Sequence, residues 1–209
     1  MHIGIIGTGA MGSALGTLWA GQGHTVTFSY SRDWQKLERL AQETGHGAKA
    51  GTPQEAAAAD VVLISVLWSR IDDALAAAGS LRGKIVVDCM LPMTADDSAL
   101  AIGHTTSGGE QLAQRSGARV VKAFNTIFSD VLAAEGRQFG SDIPTMFYCG
   151  DDAEAKQVVA GLIQQAGFEA ADAGRLERAR FLEPLGLLIG MLALEEGSGP
   201  QIGLKLLRR

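Results

Sequence analysis

The sequence predicts an α/β fold: a doubly wound parallel sheet with helices on both faces, followed by a short C-terminal helical appendage. Three observations predict it. The first 32 residues read strand, glycine-rich turn, helix, strand. Beyond them, short uninterrupted apolar runs alternate with helix-spaced segments, the rhythm of parallel strands joined by crossover helices. No internal repeat or low-complexity linker divides the chain, so one dinucleotide-binding-sized domain over residues 1–175 and a separate end, 176–209, are expected.

The elements follow in order. The apolar run Ile3–Ile6 suits one buried strand, an Ala-rich helix runs to about Gly21, and β-branched residues mark a strand from Thr25 to Tyr30. Asp33–Thr44 has helical spacing through Trp34, Leu37, Leu40 and Ala41; Gly45–Gly51 is a loop or short strand. Thr52-Pro53-Gln54-Glu55 combines a cap, a first-turn proline and a capping-box glutamate, so a helix starts there. Val61–Leu67 is a strand, Ser69–Ala78 a helix, Lys84–Cys89 a strand, and Met90–Thr106 a loop with a short helical turn. Ser107 to Glu110 again has capping spacing and opens a helix to Ser116. Arg119–Phe124 is a strand, Ser129–Glu135 a short helix, Gly136–Ile143 a loop and Pro144–Cys149 a strand, with proline where a missing donor is tolerable. Asp152–Ala166 is helical and Phe168–Ala173 is the last strand. Leu176–Glu195 is a helix that Pro184 kinks or begins, and Leu185–Leu194 is apolar on every side, so something must cover it.

Gly7, Gly9 and Gly12 stand in G-x-G-x-x-G spacing between the first strand and the first helix. In that context the first glycine permits the tight turn, the second lets backbone approach a pyrophosphate, and the third lets helix pack on strand. The helix N-terminus then offers unpaired N–H groups and partial positive charge to phosphate. The expected fold is therefore Rossmann-like and binds NAD(P), with Gly7, Thr8, Gly9, Ala10, Met11 and Gly12 in the turn.

The second strand selects between dinucleotides. An NAD site places Asp or Glu about twenty residues after the glycines, on the ribose 2′-hydroxyl. Here Ser31 and Arg32 stand at the strand end, with Lys36 one helical turn later. A guanidinium, an ammonium and a hydroxyl suit a 2′-phosphate through charge-assisted hydrogen bonds, so NADP(H) is expected. Asp33 is the competing ribose ligand if the register shifts by one residue.

Composition excludes other classes. A net charge of −5 and a pI near 5.4 argue against nucleic acid or an anionic membrane as partner. Two cysteines, Cys89 and Cys149, sit far apart in strand-like runs, the usage of a reducing compartment. His2, His24, His46 and His104 have no paired ligand spacing, so no metal is expected. The apolar N-terminus is the first strand rather than a signal peptide, and Leu185–Leu194 is too short to span a bilayer; a cytoplasmic protein is expected.

Ligands of open α/β sheets bind beyond the carboxyl ends of the strands. Those ends are the glycine turn, Ser31-Arg32, Ser65 to Trp68, Asp88 to Leu91 and Asn125-Thr126. No Ser-His-Asp or Cys-His set assembles there, and no lysine or histidine stands out as a proton relay, so no catalytic residue is named. Hydride passing between nicotinamide and a flavin-like ring needs mostly positioning, whereas ketone reduction needs a proton donor. Lys122 is expected to have its amine at the surface, and Arg180 with Glu183 to be an exposed i, i+3 ion pair or a site element.

The chain resembles the NADP oxidoreductases that use the deazaflavin coenzyme F-420 (also written F420), and is similar to the oxidoreductase domain of six-transmembrane metalloreductases. Carrying the resemblance are Gly7 to Gly12, Ser31-Arg32 with Lys36, and Val120 to Ile127, then Cys149 to Asp152, Asp172 to Gly174, Arg180 with Glu183, and Gly203 to Leu207. It implies that Thr8, Ser31, Arg32 and Lys36 hold NADP phosphates and ribose, and that residues near Ser65, Val66, Leu67, Trp68 and Asn125 form the nicotinamide pocket. It also implies that the C-terminal helix caps a second ring system and joins a homodimer. Two departures, Leu67 where F-420 enzymes carry proline and a Lys122 to Thr126 run closer to the metalloreductases, leave the acceptor open: F-420, FMN, FAD or none. The alternatives are a non-enzymatic NADP-binding sensor and a small imino-acid or hydroxyacid reductase, the latter weakened because only about 35 residues follow the last strand.

Overall fold

The computed structural model describes residues 1–133 and 137–209. Eight strands, β1 (His2–Ile6), β2 (Thr25–Ser29), β3 (Lys49–Ala50), β4 (Val61–Ile64), β5 (Ile85–Asp88), β6 (Arg119–Lys122), β7 (Thr145–Gly150) and β8 (Glu169–Asp172), form one sheet in the order β3-β2-β1-β4-β5-β6-β7-β8. The helices are α1 (Ala10–Gly21), α2 (Trp34–Thr44), α3 (Pro53–Ala57), α4 (Ile71–Ala78), α5 (Gly108–Ser116), α6 (Ser129–Ala133), α7 (Ala153–Gln165) and α8 (Ala179–Leu194). The expected Rossmann-like α/β fold is present.

Alternation along the strands builds the two faces. Ile3, Ile5, Val61, Leu63, Ile85 and Val87 point to one core, where Leu15 and Trp19 of α1, Leu37 of α2 and Val159 of α7 pack. Ile6, Val62, Ile64 and Val86 point to the other, against α3, α4, Leu112 of α5 and Leu182 of α8. Both faces of every central strand are covered, which is why those strands read as continuous apolar runs.

Four expected helix starts have recognisable chemistry. Asp33, Ser107 and Asp152 each accept a backbone N–H at the start of α2, α5 and α7, and Thr52 with Glu55 completes the capping box of α3. The helix expected from Ser69 begins as a 3-10 turn, Trp68–Arg70, and Pro184 lies inside α8 rather than at its start. In the loop before α5 the expected helical turn is a hydrogen-bonded turn from Thr94 to Asp97. The helix expected to reach Glu135, and the loop expected from Gly136, fall partly outside the described residues.

The sheet is not wholly parallel. β7 runs antiparallel to β6, with Lys122 opposite Cys149, and β8 is parallel to β7. A parallel neighbour needs a crossover that carries the chain back along the strand length. Between β6 and β7 the chain makes no such return and re-enters the sheet at the end at which it left.

The strand ends also differ from the apolar runs. β4 stops at Ile64, leaving Ser65 to Leu67 as an extended strand-end loop, and β2 stops before Tyr30, which has φ of 61°. Phe124, fully buried after β6, has φ of 63° and stacks edge-on with Trp19 at 5.8 Å. These left-handed residues turn the chain away from the ladder at the edge where ligands bind.

Candidate functional site

The chain order reverses between β1 and β4, and the carboxyl ends of these two strands open a cleft of about 520 Å³. Its floor is the turn Gly7 to Met11 leading into α1. Gly7 has φ of 103°, and a Cβ on Gly12 would lie 2.0 Å from the Gly7 carbonyl oxygen, so both positions need glycine for turn and packing. Gly9 lines the cleft, and nothing lies within 4 Å of where its Cβ would stand. The amide groups at the start of α1 thus face open space that a pyrophosphate fits.

One end of the cleft is cationic. Ser31, Arg32 and Lys36 line it together with Tyr30 and Arg70. Asp33 is occupied elsewhere: its carboxylate caps α2 by accepting the Lys36 N–H at 3.1 Å and faces Arg39 at 3.7 Å. Tyr30 donates its hydroxyl to Asp73 at 2.6 Å; burial and this bond push its pKa to about 12. An adjoining cavity of about 400 Å³, lined by Leu37, Gly51, Thr52 and Pro53, shares Tyr30, Ser31, Arg32 and Arg70 with the cleft.

The other end is apolar, lined by Ser65, Val66, Leu67, Cys89 and Met90. Burial pushes the Cys89 thiol up to about 11, so it stays neutral at physiological pH and is no ready nucleophile. No Asp, Glu or His lines the cleft among the described residues. The site is equipped to bind and orient, with no group poised to exchange protons near neutrality.

Two expected residues stand apart from this cleft. Trp68 lines a separate hollow with Leu67 and Leu91, and its ring lies under the Arg115 guanidinium at 5.3 Å. Asn125 lines a mainly apolar pocket of about 310 Å³ between the β6 end and α8. Its side-chain N–H donates to the Leu182 carbonyl at 2.6 Å, while its Oδ1 is buried with no partner.

Beneath the cleft lies a group that sequence reasoning misread. Lys122 is not at the surface: its ammonium is fully buried between Asp88 at 3.1 Å and Glu183 at 2.9 Å. Burial alone would lower its pKa, but the two carboxylates outweigh that and raise it above the ordinary lysine value. Glu183 also accepts the Gly108 and Gly109 N–H groups at 2.9 and 3.0 Å, at the positive end of α5. Asp88 accepts the Met90 N–H and Lys122 donates to the Met90 carbonyl, so the cluster fixes one cleft residue by both its backbone groups. Nor do Arg180 and Glu183 pair with each other: Arg180 grips Glu110 through two hydrogen bonds of 2.9 and 2.6 Å.

Arg70, Tyr30, Cys89 and Met90 line the cleft and were not among the binding residues expected from the sequence. Only the strand-end rule covered Met90, and the signal for Arg70, a cation in the turn directly after β4, is visible only once that turn is known to be 3-10. No helix among the described residues is long and apolar enough to cross a membrane.

The chain is similar to several known proteins. Residues 2–92 match the family model described as NADP oxidoreductase coenzyme F420-dependent. Metalloreductase STEAP3 of Rattus norvegicus is 32% identical over 193 residues, covering 89% of this chain and 37% of that protein. The F420-dependent NADP reductase of Methanocaldococcus jannaschii is 33% identical over 118 residues, 53% of this chain and 52% of that one. The chain thus spans about half or less of the length of these curated relatives. A crystal structure from Arthrobacter sp. FB24, provisionally described as an F420-dependent NADP-reductase, superposes with a TM-score of 0.86 at 28% identity, covering 99% of both chains.

Proposed function

From the premise that this chain is a relative of the coenzyme F420-dependent NADP oxidoreductases, we propose that it is an NADP-dependent oxidoreductase. It transfers hydride between NADP(H) and a flat flavin or deazaflavin ring, F420, FMN or FAD. The observation that carries the reading is the cleft itself: amide groups of a helix start at its floor, Arg32 and Lys36 at one end, and no carboxylate on its lining.

The role of each residue follows from its chemistry. The Gly7 to Gly12 turn and the start of α1 take the pyrophosphate, and Ser31, Arg32 and Lys36 take the 2′-phosphate. Ser65, Val66 and Leu67, with Cys89 and Met90, wall the nicotinamide end, and their apolar groups exclude water there. Trp68 and Asn125 line neighbouring hollows outside the cleft, and the pocket that Asn125 lines against α8 receives the acceptor ring. When bound, the dinucleotide supplies the hydride; the protein contributes orientation and proximity. Residues 1–175 act as the dinucleotide-binding domain and 176–209 as a cap and homodimer segment. The exposed Phe181, Leu188, Met191 and Leu192 lie along one side of α8, where a second copy would cover them. The protein works in the cytoplasm on small molecules, without nucleic acid or membrane.

The test mixes the protein and NADPH with F420, FMN, FAD or a cyclic imine in separate reactions and follows nicotinamide absorbance. Loss with one ring acceptor is expected. Loss with the imine alone moves the assignment to the imino-acid reductase alternative, and NADPH binding without oxidation by any of them favours the sensor.

A further inference from the structure

The clefts meet at four residues: the larger one and its neighbour share only Tyr30, Ser31, Arg32 and Arg70. In an extended NADP molecule the adenosine 2′-phosphate lies between adenine and pyrophosphate. If the pyrophosphate faces the start of α1 and adenine enters the adjoining cavity, that phosphate sits at the junction. Two guanidinium groups reach the junction from different elements: Arg32 from the β2–α2 turn and Arg70 from the 3-10 turn after β4.

Their charges are uncommitted. Among the described residues, Arg32, Lys36 and Arg70 make no ion pair within 4.0 Å, whereas Arg115, Arg119, Lys122, Lys156, Arg180 and Lys205 all do. The nearby carboxylate, Asp73, is engaged by the Tyr30 hydroxyl at 2.6 Å. Arg32 and Arg70 line both cavities beside Tyr30; both pull its pKa down, against burial and Asp73, which push it up.

We propose that Arg70 is a specificity-determining residue that opposes Arg32 across the cleft junction and completes a two-guanidinium clamp on the adenosine 2′-phosphate. The inference rests on the NADP reading proposed above. Planar guanidinium forks from two sides match the three oxygens of a phosphate monoester better than one fork and a flexible amine. Tyr30, tied to Asp73, keeps that carboxylate turned to a hydroxyl and away from the phosphate.

The experiment titrates wild type, Arg70→Ala, Arg70→Lys and Arg32→Ala with NADPH, NADH, adenosine 2′,5′-bisphosphate and adenosine 5′-monophosphate at one ionic strength. Arg70 is exposed, so its truncation leaves the core intact, which circular dichroism verifies. The expected result is that Arg70→Ala weakens NADPH and the bisphosphate about tenfold, the equivalent of about 1.4 kcal/mol, with NADH and the monophosphate unchanged. Arg70→Lys recovers part of the loss. Equal weakening of all four ligands assigns Arg70 to adenine or pyrophosphate and overturns the clamp, as does no change in any. Failure of wild type to bind either dinucleotide overturns the NADP reading itself, and the clamp with it.

Discussion

Replacing Lys122 with methionine tests whether the buried charge cluster holds the cleft. The side chain is 0% exposed, and its removal leaves Asp88 and Glu183, at 0% and 1% exposure, facing each other without a cation. Breaking a buried ion pair by deleting one member costs about 3–5 kcal/mol, because the remaining charge stays desolvated. For a domain of this size that corresponds to a fall in Tm of roughly 6–20 °C. The loss depends on pH with a definite sign. In wild type the folded-state pKa of Lys122 is raised, so its contribution is complete below the ordinary value of 10.5 and is lost only as pH rises through the higher folded value. Replacing all three groups, Asp88→Asn, Lys122→Met and Glu183→Gln together, removes the unpaired charge and restores much of the stability. Thermal unfolding followed by circular dichroism between pH 5 and 9 measures both effects. A Lys122→Met protein that melts within about 2 °C of wild type at every pH would refute the argument that this ammonium carries its charge into the core.

Gly12→Ala puts a methyl group where the Gly7 carbonyl lies 2.0 Å away; a destabilisation of about 1–3 kcal/mol and weaker NADPH binding are expected in urea unfolding and ligand titration. Thr52→Ala removes the side-chain acceptor of the α3 capping box and should lower stability by about 0.5–2 kcal/mol in urea unfolding. The Arg180 hydrogen bonds lower the pKa of Glu110, so the contact between α5 and α8 is complete above the ordinary carboxylate value of 4.5 and is lost as pH falls through the lower folded value. Arg180→Ala should therefore flatten the acid limb of the stability curve. Phe181→Lys with Leu188→Lys should convert a dimer to monomer in sedimentation, since both side chains are more than half exposed on α8; a monomeric wild type would refute the dimer segment.

Much of this fold was legible in the sequence because its signals are local. Ile3, Ile5 and Ile6 beside G-x-G-x-x-G specify strand, turn and helix from neighbouring residues alone, and Thr52 with Glu55 marks a helix start within one turn. The hydroxyl of Ser31 and the charges of Arg32 and Lys36 were read in the same way, from their place at and just after the end of the second strand. Tertiary structure decided the rest. Lys122 read as a surface amine because its two partners, Asp88 and Glu183, lie 34 and 61 positions away along the chain, and only the packing of β5, β6 and α8 brings three charges into one dry space. Arg180 found Glu110 rather than Glu183 for the same reason. The direction of β7 emerged only from its pairing with β6, Lys122 opposite Cys149, and Arg70 joined the cleft through a single 3-10 turn. Local propensity and periodicity act over one or two turns of chain; burial, pairing of charges and the meeting of cavities are properties of segments distant in sequence, and they exist only once the sheet has closed around them.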